Sequence, residues 1–401
     1  MGTQVLRRFG AVVVGLVGTL VAAVAGLTAT VLAAALTSRT ALLATAGALV
    51  FAGVCVLVGW AAFAVAGAEE ARRSGTGFAV VATLLAVVGA MVVFAPPSIP
   101  EPASARSDVR YWELPTGSRI AYTSVAARGT VRSDPVVFLH DELGAPADGV
   151  SDLGRALAAD GYPVYAYDQL GVGRSARLSD PAGYTVARHV ADLEAIRITL
   201  GAPRLVLIGQ SWGASLAAQY LAAHPDRVAK VVFSAPGPLW PQSWPSGVGD
   251  PRSADPTRSM ALESSPRMML AAALLTVNPK AAHDFMPDPE ADDRSRTQTL
   301  LLRDGCPGTA SPIPAPLPGF YSTQRTAIDF KAIPDPRPAL RGNPTPALIL
   351  RGTCDHTHPE VAAEYTSTFP NSHQPPIPNA GHALLPTTPP YQTHITAFLH
   401  P

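Results

Sequence analysis

Three long stretches without a charged side chain occupy the first quarter of this chain, at about 10–36, 41–68 and 77–95. Such runs leave few folds open. In hydrocarbon every backbone N–H and C=O must find its partner inside its own segment, which means a helix, and about 20 helical residues cross the roughly 30 Å apolar layer. One run alone could be a signal peptide or a buried core helix. Three in succession predict three transmembrane helices, with residues 1–95 as a membrane region whose partner is a lipid bilayer.

Orientation follows from the cations, because Lys and Arg near span ends are retained on the cytoplasmic side. Arg7 and Arg8 precede the first run, and Arg72 and Arg73 lie between the second and third. Only Arg39 stands between the first two. The expected location is therefore the cell membrane, multi-pass, with a cytoplasmic amino terminus and everything beyond the third span outside the cytoplasm. No charged residue lies within the spans, so anchoring is the role they suggest.

Past this region the composition changes. Pro96-Pro97-Ser98-Ile99-Pro100-Glu101-Pro102 cannot continue a helix and reads as an extended spacer, giving a linker at 96–108. Beyond it, short apolar runs at 136–139, 164–167, 205–208, 228–233 and 347–350 alternate with helical stretches at 150–159, 186–200 and 211–223. That alternation predicts an α/β domain over 109–401, with a mostly parallel sheet flanked by helices. Two runs at 109–114 and 119–124, around Thr116-Gly117, predict a hairpin that opens the sheet. Between about 236 and 345 the alternation lapses while proline, methionine and charged residues accumulate. So long an irregular segment in a compact domain reads as an inserted cap, with a helix at 268–277 and polyproline geometry at 312–318.

The 30 basic and 30 acidic residues show no clustered basic face, so nucleic acid is not an expected partner. Cys55 falls within the second span. Cys306 and Cys354 are the pair that an oxidising exterior could join, although spacing alone does not bring them together.

The chemistry centres on Gly209-Gln210-Ser211-Trp212-Gly213, a G-x-S-x-G pattern after an apolar run and before a helical one. A serine on such a strand-to-helix turn sits in strained backbone, and the small flanking residues let strand and helix pass. Its hydroxyl needs a base, and the base needs an orienting acid. On such a sheet these arrive after the serine, acid first and histidine second. Asp355 follows the run at 347–354, and His382 lies in Asn379-Ala380-Gly381-His382, leaving room between them for a helix at 360–369 and a short strand. Ser211, Asp355 and His382 are thus the candidate catalytic residues. His189 and His224 fall in helical stretches, and His394 and His400 in a terminal helix. His356 and His358 form an H-x-H beside Asp355 but have no third ligand at a fixed spacing, so neither a metal nor a cofactor is expected. An oxyanion needs backbone donors: Trp212 supplies one, and Glu142, with Asp141 as the alternative, the other.

The region 109–401 resembles the α/β-hydrolase superfamily, and within it the proline iminopeptidase branch and its tripeptidyl-aminopeptidase relatives. Asp168-Gln169-Leu170-Gly171-Val172-Gly173-Arg174-Ser175 is similar to the D-Q-x-G-x-G-x-S loop of that branch. Gly209-Gln210-Ser211-Trp212-Gly213 is similar to its G-G-S-W-G, and His224-Pro225-Asp226-Arg227-Val228 to its H-P-x-x-V. The resemblance implies the α/β-hydrolase fold and aminopeptidase chemistry on small or peptide substrates with a free amino terminus. One departure stands out: the branch writes H-G-G-P-G or H-G-x-P where this chain has His140-Asp141-Glu142-Leu143-Gly144-Ala145-Pro146. Acids there either hold a substrate's cationic amine or impair the oxyanion hole. A carboxylesterase or lipase uses the same machinery, and a non-catalytic membrane-anchored binding module is the reading of another class.

Overall fold

The computed structural model describes residues 2–99, 108–141, 149–249, 252–253, 255–304, 306, 311–312, 318–382 and 389–400. The chain divides into two compact units, one formed by Met1–Ser98 with Ala261–Glu290 and the other by Ile99–Met260 with Ala291–Pro401.

In the first unit, α1 (Gly2–Ala33), α2 (Thr40–Ala66) and α3 (Ala71–Val93) are each long and apolar enough to cross a membrane. Their bounds differ from the uncharged runs because a helix does not stop where charge begins. Arginine is a good helix former, so α1 takes in Arg7 and Arg8, and α3 starts just before Arg72 and Arg73. Small residues let the backbones meet: a Cβ on Gly59 would lie 2.4 Å from the Gly75 carbonyl oxygen.

Residues 261–290 fall inside the expected cap yet group with these helices. Helix Pro266–Val277 begins two residues before the predicted 268–277, with proline at its first turn where no intrahelical N–H is lost, and buries Ala271, Leu274 and Leu275. Arg267, buried beside it, pairs with Glu290 through Nε at 2.5 Å and Nη2 at 2.6 Å. The same guanidinium donates to the carbonyls of Phe94 at 2.6 Å and Phe285 at 2.8 Å. One ion pair thereby satisfies carbonyls left open where α3 and helix Pro279–Phe285 end.

The second unit is built on a nine-stranded sheet among the described residues. The predicted hairpin forms as β1 (Arg110–Glu113) and β2 (Arg119–Val125). It is followed by β3 (Val136–Leu139), α4 (Asp152–Ala159), β4 (Val164–Tyr167), α5 (Val186–Thr199), β5 (Leu205–Gln210), α6 (Trp212–Ala223) and β6 (Val228–Ser234). Beyond residue 346 come β7 (Ala347–Gly352), α7 (Pro359–Thr368), the two-residue strands β8 (Ser372–His373) and β9 (Pro376–Ile377), and α8 (Pro389–Leu399). The order is β1-β2-β4-β3-β5-β6-β7-β8, with β9 also on β7. Only the β1–β2 and β2–β4 pairings are antiparallel. All six residues of β5 are buried, as expected for a central strand covered on both faces.

Val136, Val164, Val206, Ile208, Val232, Leu348 and Leu350 from the strands pack with Leu153 and Leu157 of α4 and Tyr391 and Ile395 of α8. The start of α4 shows why it forms there: the Ser151 hydroxyl accepts from the Gly154 N–H at 3.2 Å, so the helix opens at Asp152 rather than Val150. Between β6 and β7 this unit contributes helices Phe320–Phe330 and Arg337–Leu340. Of the predicted polyproline stretch, residues 313–317 lie outside the described residues, and Ser311–Pro312 pairs as a short strand.

Candidate active site

β5 delivers Ser211 and α6 leaves from it. Ser211 has φ 50° and ψ −115°, a backbone region that a side chain normally avoids and that persists only where its surroundings enforce it. The enforcement is visible. Ser211 N–H donates to the Ser234 carbonyl of β6 at 3.0 Å, and its own carbonyl accepts from Ala214, Ser215 and Gly237. The glycines two before and two after are required by contact: a Cβ on Gly209 would lie 2.3 Å from the Gly213 carbonyl oxygen, and one on Gly213 2.2 Å from that of Leu139. The end of β3 therefore runs against the start of α6, where the first N–H groups, beginning with Trp212, have no intrahelical acceptor.

Asp355 follows β7, and His382 follows β9. Their loops are laced together: Cys354 N–H donates to the Ala380 carbonyl at 2.9 Å, and Asn379 N–H to the Thr353 hydroxyl at 3.0 Å. His382 Nδ1 lies 2.8 Å from Asp355 Oδ1, with side chains 12% and 0% exposed. Burial works against the charged carboxylate, but the His382 hydrogen bond and charge and the Thr357 N–H outweigh it, holding the Asp355 pKa below the ordinary aspartate value. Such a carboxylate stays ionised and holds the neighbouring imidazole with Nδ1–H toward it. Gln210, next to Ser211, donates from Nε2 to the His382 carbonyl at 3.0 Å.

Three residues that sequence reasoning gave no role also build the site. Gln169 joins two parts of it: its N–H donates to His140 Nε2 at 2.9 Å, its side-chain amide to the His140 carbonyl at 3.1 Å, and its Oε1 accepts from Trp212 Nε1 at 2.8 Å. Thr357 N–H donates to Asp355 Oδ1 at 2.9 Å, and its hydroxyl lies 3.2 Å from His382 Nδ1. Gln210 is the third. Gln169 stood within a motif and Gln210 within the G-x-S-x-G elbow, the sharp turn that carries Ser211, but Thr357 carried no signal, since only the folded loop brings it to the imidazole.

His140 and His189 are buried and neutral. Burial pulls His140 down to about 4, against a hydrogen bond to the Asp141 carbonyl. His189 falls to about 3, through burial first and then the charges of His140 and Arg188. His189, on the helical stretch that became α5, is a packing residue whose Nε2 lies 3.0 Å from the Thr326 hydroxyl. A cavity of about 430 Å³ opens beside the turn, lined among others by His140, Asp141, Gln169, Trp212, Trp244 and Phe330. Glu142, the preferred second oxyanion donor, lies outside the described residues; Asp141, the alternative, borders this cavity. Cys306 and Cys354, left open by the sequence, form a disulfide that ties the segment between β6 and β7 to the residue before Asp355.

A mostly parallel sheet with a strained serine between its central strand and the following helix defines an α/β hydrolase. The alpha/beta hydrolase fold family matches residues 134–389, more than half of the chain, and the protein belongs to that family. A proline iminopeptidase of Heyndrickxia coagulans is 38% identical over 130 residues, which span 32% of this chain and 44% of that protein. The proline iminopeptidase of Lactobacillus delbrueckii subsp. bulgaricus is 26% identical over 286 residues, 67% of this chain and 90% of the relative. Among solved structures, proline iminopeptidase from Mycobacterium smegmatis has a TM-score of 0.46 at 20% identity, covering 73% of this chain and 97% of that one. The enol-lactonase from Burkholderia xenovorans LB400 has a TM-score of 0.48 at 17% identity, covering 72% and 99%.

Proposed function

We propose that this protein is a membrane-anchored serine hydrolase with proline iminopeptidase-like aminopeptidase activity, in which Ser211, His382 and Asp355 act as nucleophile, base and orienting acid. The observation that carries the reading is the 2.8 Å contact of His382 Nδ1 with Asp355, tethered through Gln210 to the strained turn of Ser211. In this mechanism Ser211 Oγ attacks the carbonyl carbon while His382 Nε2 takes its proton. The oxyanion is held by the N–H of Trp212 and by that of Glu142, or of Asp141 in its place. Collapse expels the amine, which takes the proton back from His382, and water releases the acyl group by the same steps in reverse.

The aminopeptidase assignment is supported by the named relatives and by an acid, Asp141, at the cavity that would receive a substrate's ammonium group. The three apolar helices and the arginines at Arg7, Arg8, Arg72 and Arg73 support anchoring with a cytoplasmic amino terminus and an external catalytic domain. A fluorophosphonate probe tests the chemistry. Wild-type protein should label and Ser211→Ala should not; equal labelling of the two sinks the nucleophile assignment. Aminoacyl and prolyl reporters should then be cleaved in preference to fatty-acyl esters, and the reverse preference makes the protein an esterase. Protease added to spheroplasts should cut the catalytic domain, and its resistance beside a cleaved external control overturns the orientation.

A further inference from the structure

Beside the candidate dyad stands a second imidazole. His356 packs its ring against that of His382, with centroids 4.4 Å apart and planes at 47°. Its Nδ1 lies 4.0 Å from Asp355 Oδ1, the same oxygen that His382 Nδ1 meets at 2.8 Å. One ligand atom from each of Asp355, His356 and His382 lies within 4.8 Å of the other two. Zinc bonds of about 2.0 Å at tetrahedral angles set donors about 3.3 Å apart, so small side-chain rotations bring these three to a common ion. The carboxylate carries a further sign. Asp355 Oδ1 is already engaged by His382 and the Thr357 N–H, whereas Oδ2 is buried and has no hydrogen-bond partner among the described residues. The carboxylate therefore keeps unused acceptor capacity at a site where an unmet buried oxygen is costly.

We propose that Asp355, His356 and His382 form an inhibitory site for a divalent ion of zinc type. Two imidazoles and one carboxylate suit zinc, while magnesium and calcium demand mostly oxygen ligands. The site needs His356 from the loop after β7 and His382 from the loop after β9, which explains why the H-x-H of His356 and His358 is not itself the ligand pair. Inhibition, which rests on the serine hydrolase reading, follows from proton bookkeeping. In the working dyad, His382 carries its proton on Nδ1 toward Asp355 and offers the Nε2 lone pair to Ser211. A metal on Nδ1 needs that lone pair, so the proton moves to Nε2 by tautomer exchange through solvent, with no net change in charge. Nε2–H can no longer accept the Ser211 proton.

The test has two arms on the full-length protein. Calorimetric titration of Ser211→Ala with zinc should show one site, and adding His356→Asn should weaken it about tenfold or more. Equal zinc affinity with and without His356 overturns the site, whether or not the protein is an enzyme. In the second arm, zinc should slow fluorophosphonate labelling of the wild type, EDTA should restore it, and magnesium should leave it unchanged. His356→Asn should label at the wild-type rate without zinc and resist zinc; a variant inhibited as strongly as wild type overturns the proposal. Zinc binding to a protein that never labels would support the site while removing the serine hydrolase reading.

Discussion

The side-chain amide of Gln210 donates to the backbone carbonyl of His382 across 3.0 Å, coupling the end of β5 to a loop 172 residues away. The serine turn and the imidazole loop hang from different strands, and this bond ties them.

Replacing Gln210 with Leu should therefore cost catalysis rather than substrate affinity. A net hydrogen bond is worth about 1 kcal/mol, and about 1.4 kcal/mol in a barrier is tenfold in rate. We expect kcat to fall about fivefold with KM nearly unchanged. Steady-state kinetics on a cleaved reporter decide it, and a rise in KM at constant kcat would give Gln210 a substrate-binding role instead.

Close backbone approach at the elbow predicts a contrast between two glycines. A Cβ at Gly213 meets the carbonyl oxygens of Leu139 at 2.2 Å and His140 at 2.7 Å, whereas one at Gly342 meets nothing within 4 Å. Gly213→Ala should destabilise the domain by about 1–3 kcal/mol, as overpacking does, and Gly342→Ala by no more than about 0.5 kcal/mol. Denaturant unfolding of both variants is the measurement; equal stabilities would remove the steric account of the elbow.

Acid should weaken the domain well above the carboxylate range. His140 and His189 are held at about 4 and about 3, below the ordinary imidazole value of 6.5, chiefly by burial. The unfolded chain takes up protons that the folded domain refuses, so their contribution is complete above pH 6.5 and declines as pH falls below it. At pH 5 the loss is about 2 kcal/mol for each ring. Unfolding at pH 7.5 and 5.0, followed by tryptophan fluorescence, should show this loss. His189→Gln, which retains a polar partner for Thr326 but cannot protonate, should flatten the dependence by about one proton.

Reduction should loosen the loop that carries Asp355. The Cys306–Cys354 bridge closes a loop of 48 residues, for which chain entropy sets a contribution of up to about 4 kcal/mol. Thiol titration of denatured protein should find one free cysteine, Cys55, before reduction and three after. The thermal midpoint should drop with reductant, and Cys354→Ser should match the reduced protein. An unchanged midpoint would leave the bridge without a stabilising role.

Much of this molecule was legible in local pattern, because local pattern carries its own physics. Long uncharged apolar runs favour helix, and the three helices followed, each long and apolar enough to cross a membrane, with ends displaced where arginine prolongs a helix. Apolar runs set seven strands of the sheet to within a residue or two, but not the two-residue β8 and β9. The serine turn was readable for the same reason in part: Gly209 is required by contact with Gly213 four residues on, whereas Gly213 is required by Leu139 at the end of β3, a contact that only the fold supplies.

What tertiary structure alone decided lies between residues far apart in the chain. Gln169 bridges His140 to Trp212, Thr357 reaches the His382 ring, and Cys306 meets Cys354. The grouping of 261–290 with the long helices also has no local signature, since an apolar 12-residue helix packs equally well against a sheet or against other helices. His356 shows the difference most clearly. In sequence it pairs with His358, two residues away. In the fold it pairs with His382, 26 residues on, because parallel strands return successive loops to the same end of the sheet. Hydrophobic period and turn chemistry are local and are written in the chain, while the identity of neighbours at a sheet's loop end depends on strand order, which no single segment encodes.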